Sequence, residues 1–413
     1  MKTHLHTTFD NYGESFIIKK YYRQFASIQL IIGAISAAFI FNPTYLKQIG
    51  LSATGVGLYM SIISFVGIFS PFIWGLISDR YKTVKKLIII GLIAILVFYL
   101  PVPLYNNVKL GSLTLAPIMI VVSSAFYNMP GTMATTWLME VQKEHHDLQY
   151  GLIRMFYVGA YSLTNLGFMF LIKMTSVNLV FVCCGLFTII CLLRVSRYPD
   201  IEGRESNKSL KDMKVSRIFK NPLMLAYIVF MSVACIPASS FGIFTPYLIE
   251  NLNGNPSILG GMIALRSLSS LPFLYLSGRF IRKAGPINSL KISISIVLIT
   301  QILFYLSTSI TQVFLIFILS GVALGLTMPS EIAFINENAP PGLLATTQIV
   351  CGSVYSIAGI ISGFFGGVAI DNFGIRNYYL IVTVLISLAL IFFFISTPII
   401  KKRMEANRQH EKN

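Results

Sequence analysis

Residues 75–86 read Gly75-Leu76-Ile77-Ser78-Asp79-Arg80-Tyr81-Lys82-Thr83-Val84-Lys85-Lys86. One acid and four bases are crowded between two uncharged apolar runs, 55–78 and 87–105. A helix needs about 20 largely apolar residues to cross a bilayer. Each flanking run is long enough, so the charged stretch reads as a short polar loop joining two spans.

The same alternation continues outward in both directions. Twelve candidate spans result: 24–46, 55–78, 87–105, 113–138, 151–173, 178–194, 222–247, 257–279, 289–308, 312–335, 345–367 and 377–398. The loops between them are short except for 195–221, which is polar, mixed in charge and without apolar periodicity. The expected organisation is therefore a bundle of six helices over 1–194, a linker over 195–221 and a second bundle of six over 222–413. The predicted class is all-α integral membrane.

Composition agrees. Of 413 residues 55% are hydrophobic and only 12% charged, with mean hydropathy +0.72. Soluble domains carry about 25% charged residues, so 16 acids and 32 bases are too few to coat several water-facing domains. With 31 phenylalanines and 20 tyrosines, disorder is excluded as well. Cys183, Cys184, Cys191, Cys235 and Cys351 all lie in apolar runs without metal-ligand spacing and read as small buried hydrophobes. The polar N-terminus and the long run after it lack the form of a cleavable signal.

A net charge of +16 would suggest a nucleic-acid partner in a soluble protein. Here its placement reports topology, because basic residues stay on the cytoplasmic side. With the N-terminus inside, the outer loops hold only Lys47, Lys109, Lys173 and Arg376, and two bases, Arg154 and Arg266, fall within spans. All the others lie in cytoplasmic segments or at their membrane edges. Both termini are expected in the cytoplasm of a multi-pass protein of the cell membrane, with no nucleic-acid partner.

The two halves echo each other. Asn128-Met129-Pro130-Gly131-Thr132 in span 4 is answered by Thr327-Met328-Pro329-Ser330-Glu331 in span 10, and Gly75 after span 2 by Gly278 after span 8, at closely similar offsets. Duplicated six-helix halves are a feature of secondary transporters that bind substrate near the midplane.

The Gly75–Lys86 stretch resembles the cytoplasmic motif of the major facilitator superfamily, a glycine followed by an acid–base pair and a basic cluster. Lys82 stands where that motif usually has a second glycine. Gly75 would permit close helix approach, while Asp79 would cap a neighbouring helix or pair with a base, so Gly75, Asp79 and Arg80 form the candidate gating motif. A further resemblance, to lactose permease and related oligosaccharide and nucleoside proton symporters, covers nearly the whole chain. It rests on Tyr150-Gly151-Leu152-Ile153-Arg154-Met155-Phe156 continuing through Gly159 and Tyr161. Asn42-Pro43-Thr44-Tyr45-Leu46, Ser52-Ala53-Thr54-Gly55, Phe219-Lys220-Asn221-Pro222 and Ala345-Thr346 also fit. The resemblance implies a two-bundle major facilitator fold and proton-coupled uptake of a sugar or nucleoside.

Residue by residue, Arg154 matches the family arginine that binds substrate hydroxyls, and Tyr161 stands at a stacking aromatic. Thr136 stands where the sugar-transporting member has the glutamate that partners the arginine. Ser267, Ser320, Ala323, Ile236 and Ser239 likewise replace the ionisable residues of that member.

Charged groups within a bilayer are costly and so are functional candidates. Among the acids, only Glu331 and Glu140 remain once cytoplasmic and external positions are removed, and no histidine lies in a span. Burial of a carboxyl disfavours its charged form, so Glu331 is the first candidate for proton coupling. It could equally be a fixed partner of Arg266, although it lies about six residues, or ~9 Å, inward of the centre of span 10. Glu140, at the edge of span 4, is the second candidate.

Helical spacing assembles polar stripes. Span 5 carries Arg154, Tyr161 and Asn165; span 4 carries Ser124, Asn128, Thr132, Thr136 and Glu140. Span 10 carries Ser320, Thr327 and Glu331; span 11 carries Gln348 and Tyr355; span 8 carries Arg266 and Ser270. The candidate substrate-binding set is Arg154, Tyr161, Asn165, Asn128, Thr132, Thr136, Arg266, Gln348 and Tyr355. Glycines at 151, 159 and 167, and at 352, 359, 363 and 367, read as packing seams. Pro130 and Pro329 either break or simply bend spans 4 and 10.

The expected function is secondary active transport of a small polar solute, a sugar or nucleoside, in symport with protons and by a monomer. The proton gradient is the driving force and neither cofactor nor metal is expected. Proton-driven efflux of drugs or metabolites is one alternative, although span 5 lacks the proline of the exporters' Gly-Pro motif. Uptake of an organic anion, suited to two arginines and few acids, is another. An enzyme within the membrane would want histidine or paired carboxylates near the bilayer and finds neither.

Overall fold

The structure, a computed structural model, describes residues 3–81, 83–110, 113–145, 148, 150–198, 216–340 and 343–410. The polar stretch 199–215, most of the expected linker, lies outside the described residues.

The described chain is nearly all helix. In order the helices are α1 (Thr3–Phe39), α2 (Asn42–Gln48), α3 (Ala53–Tyr81), α4 (Lys85–Phe98), α5 (Leu115–Glu144), α6 (Tyr150–Met174) and α7 (Asn178–Ser196). There follow α8 (Ser216–Lys220), α9 (Pro222–Ala234), α10 (Ile236–Asn251), α11 (Ile258–Ala284), α12 (Pro286–Leu306), α13 (Ile310–Asn338) and α14 (Leu344–His410). A two-stranded ribbon of Lys109–Leu110 and Leu113–Thr114 precedes α5.

Among the described residues nine helical stretches are long and apolar enough to cross a membrane. One of them, Thr346–Ala406, is broken at Gly374, whose φ of 81° interrupts the helix, so it contains two arms. Residues 115–144 form a further long helix despite their polar stripe, and α4 is short and apolar. The pattern is consistent with twelve spans in a multi-pass membrane protein.

Of the two readings of Pro130 and Pro329, a break or a bend, the structure shows no break. α5 and α13 run through Pro130 and Pro329 without interruption. Pro130 is accommodated because its ring carbons lie 3.1 Å from where a Cβ on Gly91 would stand, a space the glycine leaves free. The break falls in span 7, where Cys235 separates α9 from α10 and Pro237 lies in the first turn of α10. Proline removes a backbone donor and clashes with the carbonyl four residues earlier, so the span becomes two helices.

The chain forms two compact units: Met1–Asn42 with Phe69–Ser206, and Pro43–Ile68 with Asn207–Asn413. The first is built of α1 against α6 and α7, and α4 against α5 and α7. Its core includes Phe39 stacked on Tyr99 at 4.1 Å and Phe25 edge-on to Trp137 at 5.6 Å. The buried Tyr99 hydroxyl donates to Asn42 Oδ1 at 2.7 Å. The end of α3 joins this unit through Ser70 and Trp74, which both donate to the Ala125 carbonyl.

The second unit pairs α11 with α13, α12 with α13 and α14, and α9 and α10 with α14. Phe230 stacks on Phe393 at 4.2 Å and Tyr227 on Phe334 at 4.5 Å. The first half of α3 belongs here because of glycine. A Cβ on Gly57 would meet the Gly363 carbonyl, and one on Gly367 would meet the backbone of Ala53 and Thr54. Ser61 donates to the Ile360 carbonyl at 2.8 Å. Asp371 accepts from the amides of Ala53 at 3.0 Å and Thr54 at 2.7 Å, capping the N-terminus of α3. Asp371→Ala is expected to cost about 1 kcal/mol and lower the melting temperature of the purified protein. An unchanged melting temperature would show that water replaces this cap without loss.

The seam expected along span 11 is thus formed by Gly359, Gly363 and Gly367, while Gly352 faces open space. Within the first unit the seam expected along span 5 is not formed. Positions 151, 159 and 167 each have room for a side chain, and Gly159 lines an apolar groove of about 830 Å³ on the first unit. Within the first unit Gly75 likewise makes no close approach. The side chain of Asp79 lies outside the described residues, and Arg80 lies over the Tyr81 ring at 5.9 Å.

Candidate functional site

Two cavities, one in each unit, collect most of the expected residues. In the first unit, a cavity of about 320 Å³ is lined from α1 by Ile32 and Ser36, from α5 by residues 127, 128, 131, 132, 135 and 136, and from α6 by Arg154 and Tyr157. Asn128, Thr132, Thr136 and Arg154 of the expected set meet here. α6 can lie close to α1 at this level because Gly33 has no side chain; a Cβ there would strike the Tyr157 carbonyl.

The Arg154 guanidinium lies 4.1 Å from the centre of the Tyr157 ring, a cation–π contact. Tyr157 runs nearly parallel to Tyr161, at 6.3 Å and 7°. Tyr161 therefore supports the aromatic wall from behind rather than lining the cavity. Thr132, Thr135 and Thr136 each donate to the carbonyl four residues earlier, at 2.9, 2.9 and 3.2 Å. Their hydrogens are spent within the helix, so their oxygens face the cavity as acceptors.

Asn165 is placed differently. Its side chain is fully buried, donates to the Tyr161 carbonyl and does not line the cavity. Glu140, at the edge of span 4, is half-buried and also outside this lining.

In the second unit, a small cavity of about 70 Å³ lies at the break between α9 and α10. It is bordered by Cys235, Pro237, Phe241, Arg266, Thr300, Gln301, Ser320 and Tyr355, among others. Such a volume holds about two waters, not a sugar. Arg266 Nε donates to Ser320 Oγ at 3.1 Å, and its guanidinium lies 4.1 Å over the Phe241 ring. Gly321 makes this possible, since a Cβ there would collide with the Arg266 carbonyl and Ser269 Oγ.

Glu331 is the one buried carboxylate among the described residues. The Tyr355 hydroxyl donates to its Oε1 at 2.5 Å, a short charge-assisted geometry. Tyr355 thus links the carboxylate to the wall of the Arg266 cavity. Gln348 is not part of this group; it donates to Asn336 at 3.4 Å near the end of α13.

Sequence reasoning missed Ser36, Tyr127, Thr135 and Tyr157 in the first unit, and Phe241, Thr300 and Gln301 in the second. Tyr157 had a signal, being three residues from Arg154 on one helix face. The others are neutral residues that stand out only once their helices are placed.

The model of the MFS_1 like family matches residues 27–381. The chain belongs to this family. It is a transporter of the major facilitator type, not an enzyme. The uncharacterized transporter YwbF of Bacillus subtilis (strain 168) is 22% identical over 349 residues, covering 82% of this chain and 84% of the relative. Among solved structures, the nucleoside transporter NupG superposes with a TM-score of 0.76 at 14% identity, covering 90% of this chain and 97% of the other. A D-xylose-proton symporter superposes with a TM-score of 0.67 at 13% identity, covering 91% and 97%. At these identities the likeness establishes the major facilitator fold.

Proposed function

We propose that the protein is a secondary active transporter that takes up a small polar solute, of the sugar or nucleoside kind, in symport with protons. It acts as a monomer in the cell membrane with both termini in the cytoplasm. The observation that carries the reading is Glu331, the buried carboxylate of α13 held by Tyr355 at a cavity wall. A carboxyl so placed can take a proton from one side and release it on the other when the cavity changes face, linking protonation to alternating access.

The first-unit cavity supplies the solute side of the cycle. Arg154 offers in-plane donors, the threonine row offers acceptors, and Tyr157 offers a stacking face. Gly75, Asp79 and Arg80 are the gating segment in this reading, and Glu140 is a second carboxylate for the proton route. The activities of the fold neighbours, nucleoside transport and D-xylose–proton symport, support the solute class and the coupling. α6 contains no proline, which weighs against a drug-exporter pathway through that helix.

Right-side-out membrane vesicles decide the direction. With an imposed pH gradient, acid outside, a ligand from a screen of sugars, nucleosides and organic acids is expected to accumulate inside. Gradient-driven extrusion of the same ligand would overturn symport in favour of efflux.

A further inference from the structure

We propose that the substrate carries a single carboxylate, which docks on Arg154 in the first-unit cavity. The inference rests on the reading of that cavity as the solute site and narrows it to an acidic solute, such as a sugar acid or a carboxylated heterocycle.

Charge is the first argument. Among the described residues the lining contains one cation, Arg154, and no acidic residue. Among the described residues no carboxylate forms an ion pair with it, and its guanidinium lies against the Tyr157 ring. A guanidinium within a span is expensive without a counter-charge. The threonine oxygens beside it are neutral and do not supply one. A bound carboxylate does.

Geometry is the second argument. The Arg154 guanidinium lies over the Tyr157 ring, with Tyr161 nearly parallel to that ring, and no side-chain hydrogen bond among the described residues engages its N–H groups. Those groups form a planar fork matching a carboxylate with two parallel hydrogen bonds. The acceptors presented by Thr132, Thr135 and Thr136 then take hydroxyl or N–H donors from the rest of the same molecule. The cavity, about 320 Å³, is at the small end of ligand pockets. One guanidinium balances one negative charge, so a monocarboxylate fits better than a doubly charged phosphate ester.

The test uses purified full-length protein with no proton gradient, so that it is independent of coupling. Binding is compared within matched pairs, glucuronate against glucose, orotate against uracil and 4-hydroxyphenylacetate against its amide, with glucose 6-phosphate as the phosphate arm. At least one acid is expected to bind ten-fold or more tightly than its neutral twin, and glucuronate more tightly than the phosphate. Arg154→Gln is expected to erase the preference, weakening the acid at least ten-fold more than its neutral partner. Thr136→Glu, which keeps Arg154 but places an acid in the same lining, is expected to do likewise and covers the case of an Arg154→Gln protein that does not fold. Neutral twins binding as well as or better than the acids, failure of every acid to bind, a stronger phosphate, or an acid preference surviving either substitution would overturn the proposal. Failure here with intact proton-driven uptake of a neutral solute would leave symport standing. Acid binding without gradient-driven uptake would do the reverse.

Discussion

Replacing Glu331 by Gln is expected to abolish accumulation driven by a pH gradient while leaving exchange intact. The amide nearly matches the carboxylate in shape, and its oxygen can still accept from the Tyr355 hydroxyl now bonded to Glu331. What it loses is the ability to take and release a proton. In reconstituted vesicles each pH unit across the membrane supplies about 1.4 kcal/mol per proton, a tenfold concentration ratio. That ratio is expected to fall to equality in the variant, whereas counterflow between labelled and unlabelled solute stays within a factor of about 2. Full accumulation by the variant would return Glu331 to a purely structural role. Tyr355→Phe is the companion experiment: it removes the hydrogen bond but keeps the carboxyl, so coupled transport is expected to persist at a reduced rate.

The second large effect is expected at Gly321. A Cβ at this position collides with the Arg266 backbone carbonyl and with Ser269 Oγ. Gly321→Val must therefore push α11 away from α13, the pair that holds Arg266 on Ser320. Overpacking of a close contact costs about 1–3 kcal/mol, and displacing Arg266 should reduce transport more than the stability loss alone. Gly159→Ala provides the contrast. Its Cβ meets open space, and alanine is favoured over glycine in a helix by up to about 1 kcal/mol. The melting temperature is expected to fall for the first variant and to hold or rise for the second. Equal melting temperatures would mean that the α11–α13 approach is not tight in the folded protein.

The spans were legible because the bilayer imposes long apolar runs, and short charged loops such as Asp79–Lys86 delimit them. The polar stripe of α5 was legible from its four-residue spacing, and it lines a cavity as well as a helix face. Depth was not legible. Asn165 shares a face with Arg154 by helical spacing, yet α6 packs on α1 and buries it completely. Spacing gives direction around a helix, not what lies opposite.

For a related reason the sequence left open whether its prolines break or bend a span. The cost of Pro130 depends on its neighbour, and Gly91 leaves the ring its room. Pro237 lies two residues after the break at Cys235, and only the end of α9 and start of α10 at that point reveal it. Glycine seams carried the same ambiguity: Gly363 and Gly367 of α14 meet backbone from α3, whereas those of α6 meet nothing within reach in their own unit. Glu331, by contrast, was found by elimination in the sequence, because so few acids lie within spans. Its partner was not, since a tyrosine on another span gives no signal until α13 and α14 are placed.

The central claim is that solute and proton move together, and simultaneous measurement of both tests it most directly. Proteoliposomes of the wild-type protein, lightly buffered and held without a voltage, are given a solute first identified by thermal shift, and external pH is recorded during uptake. The account predicts that the medium becomes alkaline as solute enters, in proportion to uptake, and that Glu331→Gln abolishes the pH change. Solute entry without any pH change in the wild-type protein would contradict it.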